Sequence, residues 1–140
     1  MPTIEFLVIA NHAEAREGLL YLSGACWTDL WRAAPPGGPP PITHFGVGAA
    51  VLVPWGETNR PHHLVIHIED EDGREVIRTE GDLEMGRPVG IPAGSDQRAV
   101  LAINADLVFP RPGGYRLVAE MGDERRAVSF RVHDGPRPTG

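Results

Sequence analysis

Six histidines, nineteen carboxylates and a single thiol are the groups with chemistry to offer in this 140-residue sequence. His62, His63 and His67 are the closest approach to a metal-ligand spacing. On an extended strand His62 and His63 point to opposite faces, while His63 and His67 stand roughly 13 Å apart at the strand rise. Zinc holds each nitrogen at ~2.0–2.1 Å, so these three cannot share one ion and read as solvated strand side chains. The run Asp70–Gly73 has the look of a calcium loop. An EF-hand counted from Asp70 needs glycine sixth and glutamate twelfth, where Glu75 and Gly81 stand, so an acidic hairpin tip is expected instead. Cys26, in an apolar stretch beside Trp27, reads as a small core residue rather than a nucleophile. Ser23, Ser95 and Ser129 have no nucleophile-elbow motif around them, and Gly46-Val47-Gly48 falls inside a strand rather than between a strand and a helix. No metal and no cofactor are expected. The absence of a nucleophile, base and orienting group in one motif leans the reading away from an enzyme.

What remains is a mixed polar set around one loop tryptophan. Trp55 lies between Pro54 and Gly56, with Glu57, Asn59 and Arg60 following; Asn11, His12 and Glu14 lie in one other segment, Asp96 and Arg98 in a third. Charge of both signs around an aromatic suits a protein or small-ligand contact. The candidate binding residues are therefore Asn11, His12, Trp55, Glu57, Asn59, Arg60, Asp96 and Arg98. They can act together only if segments 11–18, 54–62, 86–96 and 122–124 gather at one end of the fold, leaving 28–43, 70–74 and 109–114 at the other.

The elements that must position them are strands. Residues 3–10 form an almost continuous apolar run suited to a central strand. Leu19–Trp27 follows, with Gly24 a bulge or close-approach point. Strands are expected near 44–53, 62–70, 75–85, 97–109, 115–121 and 126–132, the fifth kinked at Gly81. In 62–70, Leu64, Ile66 and Ile68 alternate with His63, His67 and Glu69. Asp72-Gly73 is a hairpin signal. Only His12–Leu20 could support a turn of helix. The proline- and glycine-rich stretch 32–42 cannot hold a ladder and reads as an internal loop. About eight short strands joined by Gly/Pro turns describe an all-β, antiparallel β-sandwich with at most one short helical turn, a single domain over 1–140.

Composition sets outer limits. Glycine and proline supply 31 of the 140 residues, so the chain turns often. All 13 basic residues are arginine, which excludes Schiff-base and P-loop lysine chemistry. A net charge of −6 argues against binding nucleic acid or anionic lipid, both of which need a basic patch. One cysteine cannot close an internal disulfide. With no basic leader and no apolar stretch near the ~18 residues of a membrane span, the cytoplasm is the expected compartment.

The ending PGGYRLVAEMGDERRAVSFRV resembles the closing hairpin of immunoglobulin-like or fibronectin-type domains, and implies an immunoglobulin-like sandwich. The segments EFLVIANHAEA, VPWGETNRPHHLVIHIEDEDG and GSDQRAVLAINADLVFPRPGGYRLV resemble a family of small bacterial proteins of unknown function, which implies no activity. Three functions are carried forward. The first is a non-enzymatic protein-binding or assembly module with a protein partner. The second is a structural subunit of a homomeric particle, a homo-oligomer. The third is a small-ligand binder or enzyme using the 11–18, 54–62 and 86–96 loops.

Overall fold

The computed structural model describes residues 1–33, 35 and 37–139. Among the described residues nine strands follow in order: β1 (Thr3–Arg16), β2 (Leu19–Ala25), β3 (Asp29–Arg32), β4 (Ile42–Val53), β5 (Pro61–Asp70), β6 (Glu75–Glu84), β7 (Gln97–Val108), β8 (Gly113–Met121) and β9 (Glu124–Asp134). They form a four-stranded sheet in the order β2-β1-β4-β7 and a five-stranded sheet in the order β3-β9-β8-β5-β6. The two pack face to face around one apolar core, so the chain is an all-β sandwich. A 3-10 turn at Trp55–Glu57 is the only helical element among the described residues, and no helix is long and apolar enough to cross a membrane.

Alternation builds the core. Phe45, Val47, Ala49, Val51 and Val53 of β4 face Leu64, Ile66 and Ile68 of β5, with Tyr115, Leu117, Phe130 and Val132 beside them, all buried. The Asp72-Gly73 hairpin forms as the sequence predicts. Gly73 has φ +80°, and the Asp70 carboxylate accepts the backbone N–H groups of Asp72 and Arg74, both at 2.9 Å.

Several expectations change. Residues 12–16 continue β1 instead of forming a helical turn, because the segment is too short to nucleate a helix alone and pairs with β2 through a Glu17-Gly18 turn at positive φ. Pairing is antiparallel except at one place: β3, a ninth strand within the expected loop 28–43, runs parallel to β9 as the chain crosses between sheets. The irregularity in the β5–β6 pair lies at Ile68/Glu69, while Gly81 pairs regularly with Leu64. Cys26 is exposed and left-handed at φ 67°, since its N–H turns back to the Ile9 carbonyl at 2.7 Å and leaves the thiol outside the core.

The proline-rich connection is shorter than 32–42 at both ends. Arg32 belongs to β3, where its buried guanidinium bonds Asp134 at 2.5 Å and the Phe109 carbonyl at 2.6 Å. Ile42 opens β4. Positions 34 and 36 of that loop, and 140 at the end of the domain span, lie outside the described residues.

Candidate functional site

The loops 54–60, 86–96 and 122–123 meet at one end, together with the amino terminus. Arg87 lies 4.1 Å over the Trp55 ring and bonds both the Trp55 carbonyl and the Thr58 hydroxyl. Glu57 accepts from the terminal amine of Met1 at 3.0 Å and from Arg60 at 2.5 Å; these cations hold its carboxyl below the usual range, the terminal amine most strongly. Asn59, at φ 61°, donates its N–H to the Met85 carbonyl. Asp96 immediately precedes β7, and Arg98 on β7 grips Glu5 of β1, which lowers the Glu5 carboxyl. Trp55, Glu57, Asn59, Arg60, Asp96 and Arg98 are thus brought to one end. Within this set Glu57 and Arg60 bond each other, while Arg98 is taken up by Glu5 and Trp55 by Arg87.

Asn11 and His12 are not part of that end, which corrects the expected grouping. Ala10 pairs with Gly46, seven residues before β4 finishes, so Asn11 lies roughly 20 Å from the Trp55 loop. The reason is the length of β1. Beyond Ala10 the strand leaves the plane of its sheet and crosses the outer face of β4 and β7. Gly46 permits the crossing, since a Cβ there would sit 3.0–3.1 Å from the His12 backbone. Asn104 of β7 then acts as a surrogate neighbour, accepting from the Ala13 N–H at 3.0 Å and donating to its carbonyl at 2.7 Å. Gly24 is the close-approach point its position in the sequence suggests, with the Asn11 side chain packed against it.

His12 instead meets His44 and, through it, β7. His12 Nδ1 lies 3.2 Å from His44 Nε2, with Glu14 on the far nitrogen of His12 and Asp106 on the far nitrogen of His44. His62, His63 and His67 are engaged separately, with the Glu57 carbonyl, Asp82 and Glu69. Among the described residues no group of three or more His, Cys, Asp or Glu side chains is placed to hold one metal ion.

The feature that sequence reasoning passed over lies along one side of the sandwich. β6 ends one sheet and β7 ends the other, each with one unpaired edge. Between them runs an apolar crevice in two adjoining parts of about 290 and about 200 Å³. Ile66, Ile77 and Leu83 form one wall and Leu101, Ile103 and Ala105 the other; Thr79 and Gly81 stand at its mouth. Those two small inward-facing residues are why the sheets fail to close there. They were a signal available in the sequence, because the inward series Ile77, Thr79, Gly81, Leu83 drops in volume at its centre. The rim is acidic, as Glu75, Glu80, Asp82 and Glu84 of β6 outnumber the single Arg78.

A family model described as Family of unknown function (DUF6941) matches residues 5–133. No curated protein matches the sequence.

Proposed function

We propose that this chain, which belongs to the Family of unknown function (DUF6941), is a non-enzymatic protein-binding module that captures an extended segment of another protein along the β6/β7 side. The observation that carries this reading is the continuity of a free strand edge with an apolar crevice. β7 is twelve residues long and carries charge only at Arg98 and Asp106. Long, apolar edges of this kind are templates for an added strand. A strand paired there would direct alternate side chains into the crevice, and the surplus carboxylates of β6 would favour basic residues flanking the apolar ones.

The test is affinity purification of the tagged chain from the cells that encode it, in three forms. Thr79→Trp, at an exposed position, fills the crevice mouth and should reduce recovery of the specific partner at least tenfold. Trp55→Ala should leave it unchanged. The reverse pattern would place docking at the Trp55 end, the surface expected from the sequence. If instead the wild type recovers only its own copies, and light scattering shows an oligomer that Thr79→Trp dissolves, the module is a homomeric building block.

A further inference from the structure

The four side chains Glu14, His12, His44 and Asp106 lie in a line on the outer face of the β1-β4-β7 sheet, the face turned away from the β6/β7 crevice, and their role is independent of the reading above. The separations along the line are 3.3 Å from Glu14 to His12 Nε2, 3.2 Å from His12 Nδ1 to His44 Nε2 and 2.9 Å from His44 Nδ1 to Asp106. An ionised carboxylate can only accept, so each end of the line takes an N–H from the ring beside it. That fixes both tautomers when the rings are neutral. His12 carries its proton on Nε2 and His44 on Nδ1, and the two nitrogens left facing each other are both lone pairs. Two lone pairs at 3.2 Å repel unless a cation lies between them.

We propose that this gap is a binding site for a late first-row divalent ion of the zinc type, held by His12 Nδ1 and His44 Nε2. Two imidazole nitrogens on a tetrahedral ion at ~2.0–2.1 Å stand about 3.3–3.4 Å apart, within a few tenths of an ångström of the separation found. The ring centroids are 5.4 Å apart, so the rings meet edge to edge, and each must swing off the line joining the nitrogens to admit the ion. Both side chains are about half exposed, 45% and 47%, and free to do so. Glu14 and Asp106 are positioning residues: a carboxylate on the far nitrogen orients a ligating imidazole and raises its basicity. With two protein ligands the ion keeps open positions for water or for a ligand from outside. It would also tie the crossing segment of β1 to β4, so binding should raise the melting temperature.

The experiment titrates chelator-stripped, full-length protein with ZnCl₂ by calorimetry, and follows the His12 and His44 ring nitrogens by nitrogen-15 NMR. One ion per chain is expected, with shifts confined to His12 Nδ1 and His44 Nε2 and with affinity falling as the pH is lowered, because protons compete for the same lone pairs. His12→Gln or His44→Gln should weaken binding at least tenfold. Asp106→Asn should weaken it about tenfold, in the range for lost carboxylate support. His62→Gln, at a ring already engaged with the Glu57 carbonyl, should change nothing. Binding that persists in the His12→Gln/His44→Gln double variant would overturn the proposal. So would a ring pair that exchanges a proton in the spectra but does not respond to zinc.

Discussion

Along one long side of the sandwich, the chain crosses from β2 to β3 and drives Trp27 inward, edge-on to Phe45 at 5.6 Å and to Phe130 at 5.7 Å. Along the other, β6 and β7 face each other across a crevice with a threonine and a glycine at its mouth. The first side has a covalent connection and a large aromatic to fill the gap between twisted sheets. The second has no aromatic plug, and its connection, residues 85–96, lies out at the Trp55 end rather than across the gap. Two sheets of similar composition therefore close on one flank and stay open on the other, and the difference rests on a few side-chain volumes. An open flank with free strand edges is a hazard in a monomer and a resource in a binding module.

Substitutions should separate the two sides. Trp27→Ala removes the closing plug and is expected to cost about 3 kcal/mol in urea denaturation, at the lower end for a large aromatic because Trp27 is partly buried. A loss as small as that of a surface residue would mean that both flanks are open. Gly46→Val, where any Cβ meets the His12 backbone at 3.0 Å, should cost about 2 kcal/mol as an overpacked site.

The Asp70 carboxylate, which sets the β5–β6 hairpin on the open side, is held below its ordinary range mainly by the Arg74 and Asp72 N–H groups, opposed by desolvation and aided by Arg111. A depressed folded-state value stabilises above the unfolded value of about 3.9 and is lost as the pH falls through the folded one. Asp70→Asn should thus melt below the wild type at neutral pH, with the gap closing under acid conditions. A gap constant across the titration would show that the carboxylate charge plays no part.

Gly81→Ala is expected to do the opposite of Gly46→Val. Its added Cβ meets nothing within 4 Å and its φ is not in the left-handed region, so a gain of about 0.5–1 kcal/mol follows from the backbone term alone. A loss would reveal a flank more tightly packed than the crevice implies. The smallest effect belongs to Cys26→Ser, within ~0.5 kcal/mol for an exposed thiol; a large loss would return Cys26 to the core.

The strands were legible because period-two alternation is a local signal: Leu64, Ile66 and Ile68, or Val128, Phe130 and Val132, declare their faces without reference to the rest of the chain. The turns at Asp72-Gly73 and Gly122 were legible for the same reason. What was not legible depends on partners distant in sequence. His12–Arg16 looks too polar and too alanine-rich for a strand until Asn104, 91 residues away, supplies hydrogen bonds to Ala13. Misplacing that one segment was enough to assign Asn11 and His12 to the Trp55 end. Asp29–Arg32 is four residues long and is a strand only because β9 offers it an edge. The crevice was half visible, since Thr79 and Gly81 interrupt an apolar series. Which opposing strand leaves the gap unfilled is a property of topology rather than of composition.

Docking along the open flank is open to direct test by site-directed photo-crosslinking. A photoreactive residue at Glu80, on the crevice rim and outside its mouth, with Tyr21 on the β1–β2 hairpin as the reference position, would be activated in intact cells and the adducts sequenced. Adducts are expected at Glu80 and not at Tyr21, to an extended segment of another protein in which apolar residues alternate and arginine or lysine flanks them. Adduct yields at Glu80 no higher than at Tyr21, or adducts to a folded surface with no such segment, would contradict docking along the open flank.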